Sequence, residues 1–475
     1  MLFNSMIFLW IFLPIVLVGN FMLSKIPFSS ISKRYRAKNI FLLISSLLFY
    51  SWGGLYYLLI MISTIIIDYV GGYLLGISKK RYRKIILIIT IIINISVLFY
   101  FKYFNLLMSC LHSINKGFDF KEVVLPIGIS FFTFQAMSYV IDVYWEKVSC
   151  QKNFITFALY VSLFPQLIAG PIVQYKDVEQ QLHSRTENYS VFLEGQKRFC
   201  YGLAKKVIIA NTMAKVADEI WALDISKIGY QIAWLGIISY TLQIYFDFSG
   251  YSDMAIGIGK MLGFQFKENF NYPYISGSIK EFWRRWHISL SSWFKDYIYI
   301  PLGGSRKGNI RTLINLFIVF LLTGIWHGAN FTFWIWGIYY GIILIIEKLF
   351  WGKLLDKNPV KPLNWLYSIL VIMIGWIFFR SDDLSQAFVY ISQLFAPVNS
   401  TYNILSYISI GYLIALFIAI MFSGLLQMLF MESYKKIKDD TVIVFIDYSI
   451  QIVLIIICIR MIVSGTYNAF IYFQF

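Results

Sequence analysis

The sequence predicts an all-α polytopic membrane protein, and three observations carry that prediction. Hydrophobic residues make up 59% of the chain and charged residues 14%, which is too apolar for a soluble domain. Apolar runs on the order of 20 residues, enough to cross a bilayer as a helix, recur along all 475 positions. These runs, 85–101 for example, are apolar on every side. Membrane β-strands would instead show segments of about 10 residues with alternating apolarity. The expectation is one integral domain over 1–475 with about 11 crossings, plus short helices inside or on the bilayer.

The net charge of +16 is carried by basic residues clustered in short loops between apolar runs. That is the positive-inside pattern, which sets orientation and attracts anionic lipid. No nucleic-acid motif accompanies it. Cys110, Cys150, Cys200 and Cys458 show no paired spacing, so neither a disulfide framework nor a zinc site is expected.

Taken in order, residues 4–24 form the first span, with a kink expected at Pro14. They lack a basic leader and a small-residue cleavage site, and read as a retained helix. A loop with Lys25, Lys33, Arg34, Arg36 and Lys38 follows. Residues 39–77 would make a helix of about 58 Å, twice the hydrocarbon thickness, so the chain must turn. Trp52-Gly53-Gly54 is where it can. A second basic loop, Lys79-Lys80-Arg81-Tyr82-Arg83-Lys84, comes next. Two crossings between two basic loops place both loops inside and the N-terminus outside.

Residues 85–104 leave the cytoplasm again, and 123–145 form the next apolar piece. Residues 153–173 end in Phe-Pro-Gln-Leu-Ile-Ala-Gly-Pro-Ile, which suits a broken or re-entrant helix. Such backbone is tolerated at membrane depth only when buried in protein or lining a cavity. Residues 175–198 are polar, a surface loop or interfacial helix. Further spans are expected near 312–326, 331–350, 363–379, 404–430 and 442–463. Gly72/Gly76, Gly259/Gly263 and Gly337/Gly341 have the spacing of close helix packing. No loop is long enough to hold a folded external domain.

One block, 240–330, is unlike the rest. It holds Tyr-Phe-Asp-Phe-Ser-Gly-Tyr-Ser-Asp (245–253), Asn-Phe-Asn-Tyr-Pro-Tyr (269–274) and Glu-Phe-Trp-Arg-Arg-Trp-His (281–287). It runs on through Pro-Leu-Gly-Gly-Ser-Arg (301–306) to Thr-Gly-Ile-Trp-His-Gly-Ala-Asn (323–330). Polar groups in hydrocarbon cost roughly 2–7 kcal/mol each unless paired, so this density marks the chemistry. His327 ends an apolar run between glycines that would leave room for a substrate. It reads either as a histidine bonded to a neighbouring carbonyl or as a general base kept neutral by its surroundings. His287 reads either as part of an interfacial helix with aromatic anchors and snorkelling arginines or as a second catalytic group. His112 and His183 sit in polar loops, and no spacing supports a metal.

On Asp247-Phe-Ser-Gly-Tyr-Ser-Asp253, Asn269-Phe-Asn-Tyr-Pro273, Phe282-Trp-Arg-Arg-Trp-His287, 293–306 and Trp326-His327-Gly328, the chain resembles the membrane-bound O-acyltransferase superfamily. Within it the chain is similar to the bacterial alginate and peptidoglycan O-acetyltransferase membrane subunits. The resemblance implies helices around a central tunnel, His327 as catalytic histidine and His287 as the second active-site position. It implies acetyl-CoA as donor and an extracytoplasmic partner with a serine-hydrolase-like (SGNH) fold. Trp326, Trp283, Arg284, Asn271 and Arg306 are the candidate substrate-binding residues, Arg306 through a basic, glycine-rich loop that could meet donor phosphates. Teichoic-acid D-alanyl transferases share the Trp-His elements and stay open as an alternative; a polysaccharide or lipid transporter is a third reading.

The tail, Phe470-Ile-Tyr-Phe-Gln-Phe475, reads as an aromatic interfacial anchor. It also resembles the terminus of the small peptide that accompanies teichoic-acid D-alanylation, and by that resemblance Tyr472 is a candidate acyl relay. Lys435, Lys436 and Lys438 read as cytoplasmic, so 442–463 would deliver the tail outside.

Overall fold

The computed structural model describes residues 1–116, 119–397, 400–430 and 440–465; the tail with Tyr472 lies outside them. The described residues form helices and no strand. Eight of these helices are long and apolar enough to cross a membrane, against the about 11 expected. Helix Gly229–Met261 has the length but carries Gln243, Asp247, Ser249 and Asp253, and Ile129–Tyr144 is only 16 residues long. The chain divides into two compact units, Met1–Phe199 with Tyr251–Glu268, and Cys200–Gly250 with the described residues of Asn269–Phe475.

In the first unit the backbone breaks fall where glycine and proline place them. Pro14 opens helix Leu13–Lys25 directly after a π-helical stretch, Phe8–Phe12, so the irregularity lies just ahead of it. Helix Ile31–Ser51 starts where the Ser30 hydroxyl accepts from Lys33 N–H. It ends at Trp52-Gly53-Gly54, where Gly54 takes φ +129°, and helix Leu55–Ile77 returns. Helix Lys80–Ile114 is longer than the expected 85–104, at 35 residues.

The broken helix is present as expected. Phe154–Ser162 stops at Leu163, Phe164–Leu167 adds one turn, and residues 161–175 are all buried. Side chains satisfy the freed backbone. Gln135 and Gln166 both donate to the Tyr160 carbonyl at 2.6 Å, and Ser46 Oγ accepts from Phe164 N–H at 3.1 Å.

In the second unit the elements that matter are two seven-residue helices, Ile279–Arg285 and Ile288–Phe294, and two long ones, Asn309–His327 and Phe331–Ile346. The long pair meets backbone to backbone. A Cβ on Gly337 would lie 2.5 Å from the Phe320 carbonyl oxygen, and one on Gly324 would lie 2.4 Å from that of Phe333. Glu347 anchors the first short helix: its carboxylate accepts from the N–H groups of Ile279 (2.7 Å) and Lys280 (2.9 Å).

Candidate active site

The two short helices and helix Asn309–His327 enclose a cavity of about 310 Å³. His287 and His327 both line it, with Trp283 and Thr323. Leu290, Phe294, Leu316, Val319, Phe320 and Leu344 make most of its wall apolar. Lys280, Arg284 and Lys295 line it too, each with an exposed side chain, and no described lining residue is a carboxylate. Glu281, next to Lys280 in sequence, pairs with Arg285 at 2.9 Å instead.

His287 interrupts what the sequence reads as one interfacial helix. Its backbone is left-handed, φ 43° and ψ 55°, between the two short helices. A non-glycine residue there stores on the order of 1–3 kcal/mol of strain and persists only where its surroundings dictate it. Here they do: Ile288 N–H donates to the Asn269 carbonyl and Asn271 N–H to that of Arg285, each at 2.9 Å. The ring packs edge-on against Phe248, with centroids 4.6 Å apart, and is 2% exposed. Burial pushes its pKa down to about 3, so the imidazole is neutral at physiological pH.

His327 is the last residue of its helix and is buried among aromatic rings. Trp326, Trp336 and Phe379 stand edge-on to it at 4.9, 5.1 and 5.0 Å. The neighbouring glycines do not leave room for a substrate, contrary to the sequence expectation. Gly324 is filled by the facing helix, and a Cβ on Gly328 would lie 2.6 Å from the Phe333 ring. Access to His327 comes through the cavity. Trp326 touches both imidazoles, 6.4 Å from His287 and 4.9 Å from His327, without lining the cavity.

Two expected binding residues lie elsewhere. Asn271 is exposed, and its carbonyl accepts from Arg285 at 3.1 Å. The residue that reaches His287 is Asn269, two positions earlier, with Oδ1 3.1 Å from Nδ1. Arg306 sits in an exposed turn that Asn315 pins by donating to the Gly304 carbonyl at 3.0 Å, and it does not line the cavity. Sequence reasoning missed Asn269, Lys280 and Lys295 as neighbours of the site. The doubled asparagine of Asn-Phe-Asn was the available signal for the first, but nothing in it chooses between the two.

The family model of the membrane-bound O-acyltransferases matches residues 149–380, which include every residue lining the cavity. The chain is 43% identical to the probable alginate O-acetylase AlgI of Pseudomonas aeruginosa, over 90% of this chain and 82% of that protein. This chain belongs to the membrane-bound O-acyltransferase family. It is 36% identical to the peptidoglycan O-acetyltransferase of Helicobacter pylori over 82% of its own length and 78% of the relative. Similarity to the teichoic acid D-alanyltransferase of Bacillus subtilis is lower, 29% over 53% of this chain and 66% of the other. As a member of the O-acyltransferase family the protein is a multi-pass membrane enzyme, and the histidine pair lies within the matched region.

Proposed function

We propose that this O-acyltransferase carries acetyl groups from cytoplasmic acetyl-CoA across the bacterial cytoplasmic membrane for O-acetylation of a cell-envelope polysaccharide or exopolysaccharide. The observation that carries the reading is that His287 and His327, 40 residues apart in sequence, line one cavity that also holds three exposed cations. Acyl transfer from a thioester needs a base for the attacking hydroxyl and a site for the donor's charged end. His327, assisted by His287, takes the hydroxyl proton as oxygen attacks the thioester carbonyl. The C–S bond then breaks, the thiolate takes the proton, and an ester forms.

Lys280, Arg284 and Lys295, rather than Arg306, are matched to the donor's phosphates. The greater identity to relatives named as O-acetylases than to D-alanyltransferases favours acetyl as the group moved. The basic residues at the ends of helices Ile31–Ser51 and Lys80–Ile114 support a cytoplasmic side there, with the N-terminus outside and anionic lipid around the cytoplasmic face. The first acceptor is Tyr472, and an extracytoplasmic serine-hydrolase-like partner completes transfer to the polymer.

The test is mass spectrometry of the C-terminal peptide after incubating purified protein with isotope-labelled acetyl-CoA. Label is expected on Tyr472, absent from Tyr472→Phe, and reduced about 10²–10⁴-fold in folded His327→Ala. Acetyl transfer to the partner without label on the tail would discard the relay. Normal transfer by His327→Ala would discard the catalytic assignment. A chain inert to acetyl-CoA but active with a D-alanyl carrier protein would move the reading to that branch.

A further inference from the structure

The polar groups around His287 specify which of its nitrogens carries the proton. Nδ1 lies 3.1 Å from Asn269 Oδ1. The Asn269 atom in that position must be the oxygen, because the Ser289 backbone N–H, which can only donate, points at it from 3.2 Å. Ser289 Oγ–H donates to the same oxygen at 2.9 Å. An acceptor facing Nδ1 requires a proton on Nδ1. The buried ring is neutral and holds one proton, so Nε2 carries the lone pair. Asn269 is itself 1% exposed, and its backbone carbonyl accepts from Ile288 N–H at 2.9 Å. One residue therefore holds both the left-handed backbone at His287 and the orientation of its ring.

We propose that Asn269, supported by Ser289, is a positioning residue that locks His287 in its Nδ1–H tautomer and makes Nε2 the proton-accepting nitrogen facing acyl transfer. This rests on the reading of His287 as a working group of the cavity. Asparagine is suited to the task. Its amide oxygen accepts three hydrogen bonds at once without adding a charge that would favour imidazolium in a buried site. A leucine would fill similar space and accept none.

The experiment is nitrogen-15 NMR of histidine-labelled full-length protein in lipid bilayers. The His287 signals, among four histidines, are identified by their loss in His287→Gln. In the wild type the His287 Nδ1 resonance is expected to be of the protonated type and Nε2 of the unprotonated type. Asn269→Leu should mix or reverse the two forms and lower kcat about 10²-fold with little change in donor KM. Asn269→Asp, whose carboxylate accepts the same bonds but favours the imidazolium, should keep the proton on Nδ1 and move the rise of activity to higher pH, whereas Asn269→Leu should lose activity at every pH. A wild-type spectrum with the proton on Nε2 overturns the proposal without needing any folded variant. So does an unchanged His287 tautomer in Asn269→Leu. A fully active His287→Gln enzyme, with the wild-type tautomer as expected, would overturn it from the other side, by removing His287 from the transfer.

Discussion

His287 shows how one buried side chain couples the site to stability. Its pKa falls from an ordinary value of 6.5 to about 3 because burial disfavours the imidazolium. Below pH 6.5 the unfolded chain takes up a proton at this position that the folded chain refuses. The unfolded state then binds more protons, so stability falls as pH is lowered from about 6.5 toward 3 and is unaffected above that window. Thermal unfolding in detergent should show a midpoint that declines below about pH 6.5, and His287→Gln should flatten part of that decline. Superimposable pH profiles for the two proteins would mean that His287 is not held neutral by the fold. The same burial keeps the imidazole in the form that can accept a proton, which is the form the proposed transfer requires.

At the scale of elements, the pair Asn309–His327 and Phe331–Ile346 sets where His327 stands. The helices approach until Gly324 and Gly337 touch, which brings Trp336 edge-on to the imidazole at 5.1 Å. In Gly337→Ala the new methyl would meet the Phe320 carbonyl oxygen at 2.5 Å and Gly324 Cα at 3.1 Å. Backbone cannot step aside as a side chain can, so the helices must part, at a cost of about 1–3 kcal/mol. Reduced thermal stability together with reduced acetyl transfer is the expected result. Gly341→Ala is the control, because its nearest neighbour is the edge of the Phe317 ring at 3.2 Å. Should Gly337→Ala match wild type in both assays, the close approach is not what holds His327. The spacing Gly337/Gly341 was legible in the sequence. The closer contact, Gly324 with Gly337, was not, because it belongs to two helices rather than one.

Across the whole molecule, 41 basic residues against 25 acidic ones leave a surplus, yet each compact unit keeps an ion pair with a buried lysine. Lys38 pairs with Glu187 in the first unit and Lys206 with Asp247 in the second. Lys206 lies in a π-helical stretch, Lys205–Ala210, and Asp247 on helix Gly229–Met261, so the pair ties the π-helical stretch to that helix. Removing one partner leaves a buried charge uncompensated, and Lys206→Met should destabilise by about 3–5 kcal/mol. Replacing both, Lys206→Met with Asp247→Leu, should recover most of that loss. Denaturation midpoints of the two variants measure the difference; a double variant as unstable as the single one would show that the pair does more than neutralise charge.

By itself the sequence determined the membrane class, the turn at Trp52-Gly53-Gly54, the break within 153–173 and the two histidines of interest. All of these follow from composition, local backbone preference or a scarce residue type in an apolar chain. Only the tertiary structure decided that His287 and His327 meet at one cavity, that Lys280 and Lys295 join Arg284 there, and that Asn269 rather than Asn271 reaches the ring. The physical reason is the left-handed backbone at His287. A helical reading of 281–295 would place its side chains on one continuous surface. The break at one residue re-aims everything after it, and that residue holds its conformation because hydrogen bonds from a segment 18 positions earlier require it.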